Sequence, residues 1–317
     1  MPRKENGGEQ SSPLAWMKEI AIEESSTIAN ITLGEKIRDG SIVIELPDIC
    51  NPQECETIRD YCCRRAVCDE QLAMLDESLA LNQVGLVRLP TIQAATRAQE
   101  TDTTCAEPLA VEIDDLCQDI LLRVAALIDE KIPSIVVELF SDEEESESAK
   151  NCPATISSTS LVEQMKSQTR LDYTRREPAI NVYTNGGEFQ KHKDAQSLTI
   201  LVPLSSPETH FQEGGTGFWS EHELPDSSND YNFDHFPSFA GDQASNEAPP
   251  IVILRPPAGT ALLFGGSVTH AGIPVGDQGG GARVVLVASF GPIGSRGQMA
   301  ADLGFGAANM TIYGSAL

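Results

Sequence analysis

A mostly β protein with flanking helices (α+β) is the fold class that this sequence predicts, and three observations carry the prediction. From Ala179 onward, short apolar runs at 179–184, 198–204, 251–254, 260–264, 267–271 and 283–290 are split by Gly, Pro and Ser turns. Many short strands with such punctuation imply a sandwich or barrel. Ahead of them, Ile113, Leu116, Ile120, Leu121, Val124, Leu127 and Ile128 recur at helical spacing, which predicts an amphipathic helix of about five turns backing the sheet. Asn51-Pro52-Gln53-Glu54 has the form of a helix start, with Asn51 as cap, Pro52 in the first turn and Glu54 reaching back.

Taken in order, residues 1 to about 15 are polar and read as a disordered tail. Leu14 to Ile31 mixes Trp16, Met17, Ile20 and Ile22 with charges and predicts a short helix docked on the body. Ser41 to Leu46 is short, β-branched and strand-like, and the helix opened by Asn51 runs through Ile58, Tyr61 and Cys62. Leu81 to Thr91 contains a further strand. The acidic run from Ser141 to Ser148 repels itself and reads as a solvated loop, with docking or phosphorylation as the functional alternative. The polar insert from Glu221 to Pro250 lies between two predicted strands and is a lid or substrate loop.

Composition narrows the function classes. The chain has 317 residues, enough for one large domain or two small ones, and a formal charge of −25 from 22 basic and 47 acidic residues. That balance repels phosphate backbones and anionic lipid, so no nucleic-acid or membrane partner is expected, while a basic peptide suits the field. No apolar stretch is long enough to span a bilayer and no signal peptide is seen, so the expected location is cytoplasmic or another intracellular compartment. Of eight cysteines, five crowd into Cys50–Cys68 with no Cys-x-x-Cys pair and no neighbouring histidine. Free thiols, several buried on a helix, are expected rather than a zinc site. The oligomeric state is not encoded in any pattern.

The motif that carries chemistry is His192-Lys193-Asp194, answered by His270. Two imidazoles and one carboxylate form the protein half of an Fe(II) site with the remaining positions open. Side chains two apart on a strand share a face, so His192 and Asp194 can grip one ion, and His270 must come from a strand lying beside them. His210, His222 and His235 fall in or beside the polar insert and read as exposed rather than ligating.

Around this motif stand Ile180-Asn181-Val182-Tyr183, the run Leu198–Leu204, Glu213-Gly214-Gly215-Thr216, Pro257-Ala258-Gly259-Thr260, and Arg283 leading Val284 to Phe290. In that order the pieces resemble the Fe(II)/2-oxoglutarate-dependent dioxygenases of the prolyl 4-hydroxylase-like branch. The resemblance covers the last half of the chain and, more faintly, a stretch from Ser41. It implies a double-stranded β-helix (jelly roll) core and one dioxygenase domain over 36–317, after a tail over 1–35. Within that domain, 36–178 supplies helix and strand support, 179–295 the core and 296–317 an extension.

The resemblance also implies roles. His192, Asp194 and His270 would ligate iron. Arg283, 13 residues after His270 in this sequence, would pair with the distal carboxylate of 2-oxoglutarate, the loop Gly276–Gly281 accounting for a separation longer than the family's. Arginine suits that task because its planar fork holds a carboxylate bidentately and keeps its charge. Arg296 competes but falls beyond the strand. Tyr183 would donate to the cosubstrate, with core packing as the rival reading, and Thr199 would line the same pocket. Pro203 stands where relatives carry a second tyrosine. Trp219 is a guess for substrate contact, with no motif behind it. An aspartate at 194 favours hydroxylation over halogenation. The implied cofactors are Fe(II) and 2-oxoglutarate, with ascorbate as an accessory. The implied activity is hydroxylation of a side chain, peptidyl proline first, using O2 and releasing succinate and CO2. Two alternatives stand beside it: a small-molecule hydroxylase of the same superfamily, and a non-catalytic jelly-roll binding module.

Overall fold

The computed structural model describes residues 16–22, 31–75, 85–99, 108–140, 160–167, 170–174, 176–194, 196–220, 248–276 and 281–293. The expected tail over 1–15, the acidic run at 142–148, all but the last residues of the insert 221–250, and the extension 296–317 lie outside the described residues.

Six helices and twelve strands are described. The amino-terminal part contributes β1 (Lys18–Ala21), α1 (Leu33–Arg38), β2 (Ile42–Leu46), α2 (Pro52–Leu75), β3 (Leu86–Pro90), α3 (Ile92–Gln99), α4 (Val111–Lys131), α5 (Pro133–Phe140) and α6 (Leu161–Ser167). There follow β4 (Leu171–Tyr173), β5 (Ala179–Tyr183), β6 (Phe189–His192), β7 (Leu198–Pro203), β8 (Glu213–Trp219), β9 (Val252–Leu254), β10 (Ala261–Gly265), β11 (Thr269–Val275) and β12 (Arg283–Pro292).

The strands form two antiparallel sheets. The larger runs β1-β2-β10-β7-β12-β5-β3 with β4 also on β12, and the smaller runs β6-β11-β8-β9. From β5 to β8 the chain alternates between the sheets, and from β9 to β12 it alternates again. That winding is the double-stranded β-helix.

Period-two alternation divides each central strand between two cores. Ile180 and Val182 of β5, Leu198, Ile200 and Val202 of β7, and Val284, Leu286, Ala288 and Phe290 of β12 face one cluster shared with the helices. Tyr183, Leu201, Phe264 and Val285 point the other way, into a second cluster with Phe218 of the smaller sheet. Strands buried on both faces read as unbroken apolar runs, which is why β5, β7, β10 and β12 stood out in the sequence.

The cap expected for α2 is present. Asn51 Oδ1 accepts from the Glu54 N–H at 3.0 Å, and Glu54 Oε2 accepts from the Asn51 N–H at 3.0 Å. Glu54 also takes Arg123 of α4 at 2.8 Å, which joins the two helices. The predicted periodic helix is α4. Its buried Ile120, Leu121 and Val124 share the core of the larger sheet, and it packs against α2, α5 and α6.

One expectation is corrected. The described part of 14–31 holds a strand instead of a helix. Residues Lys18–Ala21 pair with Ile42–Glu45, because the edge of β2 offers unpaired backbone groups that a short segment satisfies more readily by extending than by coiling. Strand β8 was absent from the apolar runs because Gly214, Gly215 and Gly217 break its pattern. The glycines are there for close approach: a Cβ on Gly215 would lie 2.8 Å from Ile253 and 2.9 Å from Arg255.

Among the described residues, no helix is long and apolar enough to cross a membrane. Cys50, Cys55, Cys62, Cys63 and Cys117 are free thiols, and all but Cys63 are buried. Burial pushes the Cys62 and Cys117 thiols up, as expected of inert core cysteines.

Candidate metal centre

His192 closes β6 and His270 sits on β11, directly paired with it across the smaller sheet. Asp194 follows two residues after His192. The ligand atoms of these three residues lie within 4.8 Å of one another. His192 Nε2 is 3.5 Å from Asp194 Oδ1, and His270 Nε2 is 3.7 Å from Asp194 Oδ2. The anticipated geometry differs in one respect: β6 ends at His192, so Asp194 reaches the cluster from the loop beyond the strand. The β6–β11 register also shifts between His270 and Gly272. Once the ladder stops, the backbone is free to turn a carboxylate inward.

Both imidazoles are oriented from behind. His192 Nδ1 lies 2.7 Å from the Gln190 carbonyl oxygen, and His270 Nδ1 lies 3.1 Å from that of Val268. A carbonyl only accepts, so each Nδ1 carries the proton and each Nε2 turns its lone pair toward Asp194. Edge contacts from Phe264, at 4.7 Å from the His270 ring and 5.3 Å from Phe218, fix the wall behind it. Such aromatic pairs contribute about 0.5–1.5 kcal/mol each beyond area burial.

The cluster is electrostatically coupled. Burial would raise the Asp194 pKa, but the neighbouring His270 and His192 imidazoles and the hydrogen bond from Thr199 outweigh it, and the carboxyl is held below the usual range. Burial pushes His270 down to about 4, helped by His192. Burial also acts to lower His192, yet its contact with Asp194 prevails and its pKa is raised. An ionised carboxylate facing two Nε2 lone pairs is the donor set of a first-row divalent cation. The observed separations suit ligands that converge on one ion at about 2.0–2.2 Å each. The residues therefore fit the iron that the sequence implied.

A narrow cavity of about 40 Å³ lies between the two sheets and is lined by this triad together with Arg283, Tyr183 and Asn181. Arg283 opens β12 and pairs in register with Tyr183 of β5. It is 3 % exposed, donates to Thr216 Oγ1 at 2.7 Å, and its guanidinium carbon lies 4.9 Å from the Tyr183 ring centroid. Its Nη1 has no partner, and among the described residues no carboxylate stands within ion-pair distance. Burial lowers its pKa, with Tyr183 acting against that, but an arginine stays charged regardless. A buried cation with an unused donor beside a cavity fits an anionic ligand such as a carboxylate.

The structure brings His192, Asp194, His270, Arg283 and Tyr183 to one cavity, and it separates two further candidates from it. Thr199 does not line the cavity; its hydroxyl donates to Asp194 Oδ2. Trp219 alternates with Thr216 and Phe218 on β8 and faces away from the cavity. Its Nε1 donates to the Ala248 carbonyl at 2.8 Å, and Lys191 Nζ lies 4.8 Å from its ring. Period two decides this, since Phe218 already takes the inward position. His210 is half-buried outside the cluster, beside Arg59 and accepting from the Ser206 N–H at 2.8 Å.

Four cavity or supporting residues were missed. Asn181 donates to the Tyr183 hydroxyl at 3.3 Å, and its own Oδ1 is unpartnered. It stands two residues before Tyr183 on the same strand face, a signal that was available. Ser289 likewise stands six residues after Arg283 on the inward face of β12. Buried Glu177 and half-buried Arg88 form an ion pair in the cavity wall across 89 residues of sequence, and no local pattern announces them.

Fold and site together define a double-stranded β-helix with a His-Asp-His cluster, Asp194 and His270 buried and His192 half-buried, at one end of its cavity and an unneutralised arginine at the other. No protein-family profile matches the chain, and no curated protein matches it. Among solved structures, it is similar to the non-heme α-ketoglutarate-dependent epimerase SnoN from nogalamycin biosynthesis, at 14 % identity over 81 % of this chain and 80 % of that one, TM-score 0.35. It is also similar to a Pseudomonas putida prolyl-4-hydroxylase, at 13 % identity over 82 % and 96 % of the two chains, TM-score 0.37. HygX from Streptomyces hygroscopicus, solved with nickel, 2-oxoglutarate and hygromycin B, aligns at 13 % identity over 79 % and 83 %, TM-score 0.37.

Proposed function

We propose that this protein is an Fe(II)/2-oxoglutarate-dependent oxygenase that hydroxylates a side chain, with peptidyl proline as the first substrate to test. One observation carries the reading: a cation-binding His-Asp-His cluster and an unpaired buried arginine face the same cavity. His192 Nε2, Asp194 and His270 Nε2 would hold the ion. Arg283, steadied by Thr216 and stacked on Tyr183, would hold the distal carboxylate of the cosubstrate. Bound Fe(II) and 2-oxoglutarate would supply O2 activation, with oxidative decarboxylation to succinate and CO2. The chain's own part is to orient the two, to keep the imidazoles in the ligating tautomer, and to exclude water with Phe218, Phe264 and Leu201. The prolyl substrate is supported by the resemblance in motif order alone, and the acidic surface suits a basic peptide.

Anaerobic addition of Fe(II) and then 2-oxoglutarate to the full chain should produce a weak visible charge-transfer band. Succinate release, with ascorbate present, should rise when a proline-containing peptide is added. A folded protein that gives no band is a binding module and not this enzyme. A band without stimulation by any peptide removes the peptide substrate and leaves a small-molecule one.

A further inference from the structure

The cavity has a mouth, and three side chains frame it. Of the residues that line it, Arg88, Phe189 and His192 are half-buried and all the others are buried. The Arg88 guanidinium carbon lies 5.8 Å from the Phe189 ring centroid, and that ring lies 4.8 Å from the His192 imidazole. A cation and an apolar ring therefore stand beside the metal cluster on the side that solvent reaches. Arg88 comes from β3, an edge strand of the larger sheet. It donates through Nη2 to Glu177 Oε1, and its Nε is buried without a partner. Glu177 is held from two further directions: Oε2 accepts the Ser289 N–H at 2.6 Å, and its carbonyl oxygen accepts from Arg97. Arg88 thus differs from Arg283, which is only 3 % exposed and has no counter-charge. Arg88 has its charge met by Glu177 and keeps an unused donor.

We propose that Arg88 and Phe189 form the substrate subsite at this mouth, Arg88 donating to a carbonyl oxygen and Phe189 packing against the apolar carbons beside it. The subsite rests on the proposed iron and cosubstrate site and extends it to the group that enters from solvent. The acceptor is a neutral carbonyl for an electrostatic reason. Glu177 already brings one full negative charge to Arg88, and it lies close enough to Asp194 for the two to repel. A ligand carboxylate would add a third anion to that neighbourhood, where like charges are costly. A neutral oxygen takes the spare N–H without that cost, and a buried donor left unmade is itself unfavourable. Proline inside a peptide offers a carbonyl on each side of its ring. Free proline has a carboxylate in place of one and an ammonium in place of the other. The subsite therefore favours the peptide-linked residue over the free amino acid.

The test uses the full chain loaded with Co(II), an air-stable substitute for Fe(II), and 2-oxoglutarate. Binding is read by calorimetry, so no turnover is needed, and circular-dichroism melting controls for folding. The probes are a short proline-containing peptide blocked at both ends and free L-proline, titrated into wild type, Arg88→Lys and Phe189→Leu. Arg88→Lys keeps a cation for Glu177 and removes the Nε–H. Wild type should bind the blocked peptide about 10-fold or more tightly than free proline. Arg88→Lys should weaken the peptide by about 10-fold, the scale of one hydrogen bond to a charged group, with 2-oxoglutarate affinity unchanged. Phe189→Leu should weaken the peptide by a smaller factor. A folded Arg88→Lys with wild-type peptide affinity overturns the subsite, and so does free proline that binds as tightly as the peptide. An equal loss of peptide and 2-oxoglutarate affinity overturns it too, since a general disturbance of the cavity would do that. If Arg88→Lys does not fold, Phe189→Leu decides in the same way, and if neither folds, the wild-type preference between the two probes decides. Wild type that takes up neither Co(II) nor 2-oxoglutarate removes the metal and cosubstrate reading itself. Wild type that takes up both but not the peptide removes the peptide substrate and this subsite with it, whereas peptide binding that the folded variants leave untouched removes only the roles of Arg88 and Phe189.

Discussion

The two ends of the cavity are built on opposite electrostatic terms. At the metal end, the Asp194 charge meets two imidazoles and a hydroxyl, and both rings are tied to backbone carbonyls. At the other end, the Arg283 charge meets one threonine hydroxyl and the face of a tyrosine, with a donor left over. A buried charge without its partner costs stability, so the carboxylate at the metal end, which Thr199 hydrogen-bonds, is the better satisfied charge, while the arginine end lacks any counter-charge. The difference shows that the first end is organised by the protein itself, while the second is completed by what enters.

The largest effect should come from breaking the metal end. Asp194→Ala and His270→Ala should each abolish the Fe(II)/2-oxoglutarate band and all succinate release, since each removes a ligand outright. A spectrum like that of the wild type in either variant would sink the cluster as the iron site. Next in size is Arg283→Met. Cosubstrate affinity should fall by about 100-fold or more, on the scale of about 2–5 kcal/mol for removing one partner of a buried charge pair. Metal affinity should hold, and the ligand-free protein should melt no lower than wild type, because an uncompensated charge has been replaced by apolar volume. A marked drop in melting temperature would mean that the arginine is satisfied after all.

The pH dependence of the metal-free protein sharpens the same contrast. The folded pKa of His270, near 4, lies below its unfolded value of about 6.5. As pH falls, the unfolded chain takes its proton first, so stability that is complete above about 6.5 is lost toward pH 4. This single group contributes up to about 3 kcal/mol of that loss. His192, with its pKa raised, acts with the opposite sign: it stabilises below the unfolded value and loses that contribution as pH rises through its folded one. Melting of the chelator-treated protein at pH 7 and 4.5, with and without His270→Asn, measures the difference.

Tyr183→Phe removes one hydroxyl that Asn181 contacts, and should weaken 2-oxoglutarate by roughly 5-fold, about 1 kcal/mol. The smallest change at the site is expected from Trp219→Phe. That ring is on the far side of β8, so its loss should leave KM for any substrate unchanged while removing a hydrogen bond of about 1 kcal/mol from stability. A raised KM would return Trp219 to the substrate path.

Much of the cavity was legible because strand parity is a local property. With Tyr183 and Arg283 placed, alternation alone puts Asn181 and Ser289 on the same inward face. The same rule sends Trp219 outward once Phe218 is inside, a step that the sequence reading did not take. The edge strand β1 was not legible, because Lys18–Ala21 has no strand pattern of its own and extends only against the open side of β2. The Arg88–Glu177 pair was invisible for the same reason at longer range.

By itself the sequence determined the kinds of chemistry present: two imidazoles, a carboxylate and an arginine on segments that alternate into strands. Those properties depend on residue type and on spacings of one or two positions, which the chain carries locally. Only the tertiary structure decided that Asp194 arrives from a loop, that Thr199 serves the carboxylate, and that Arg283 is left without a counter-charge. Each of these depends on which distant strands pair and in what register, and register is set by the packing of two cores at once.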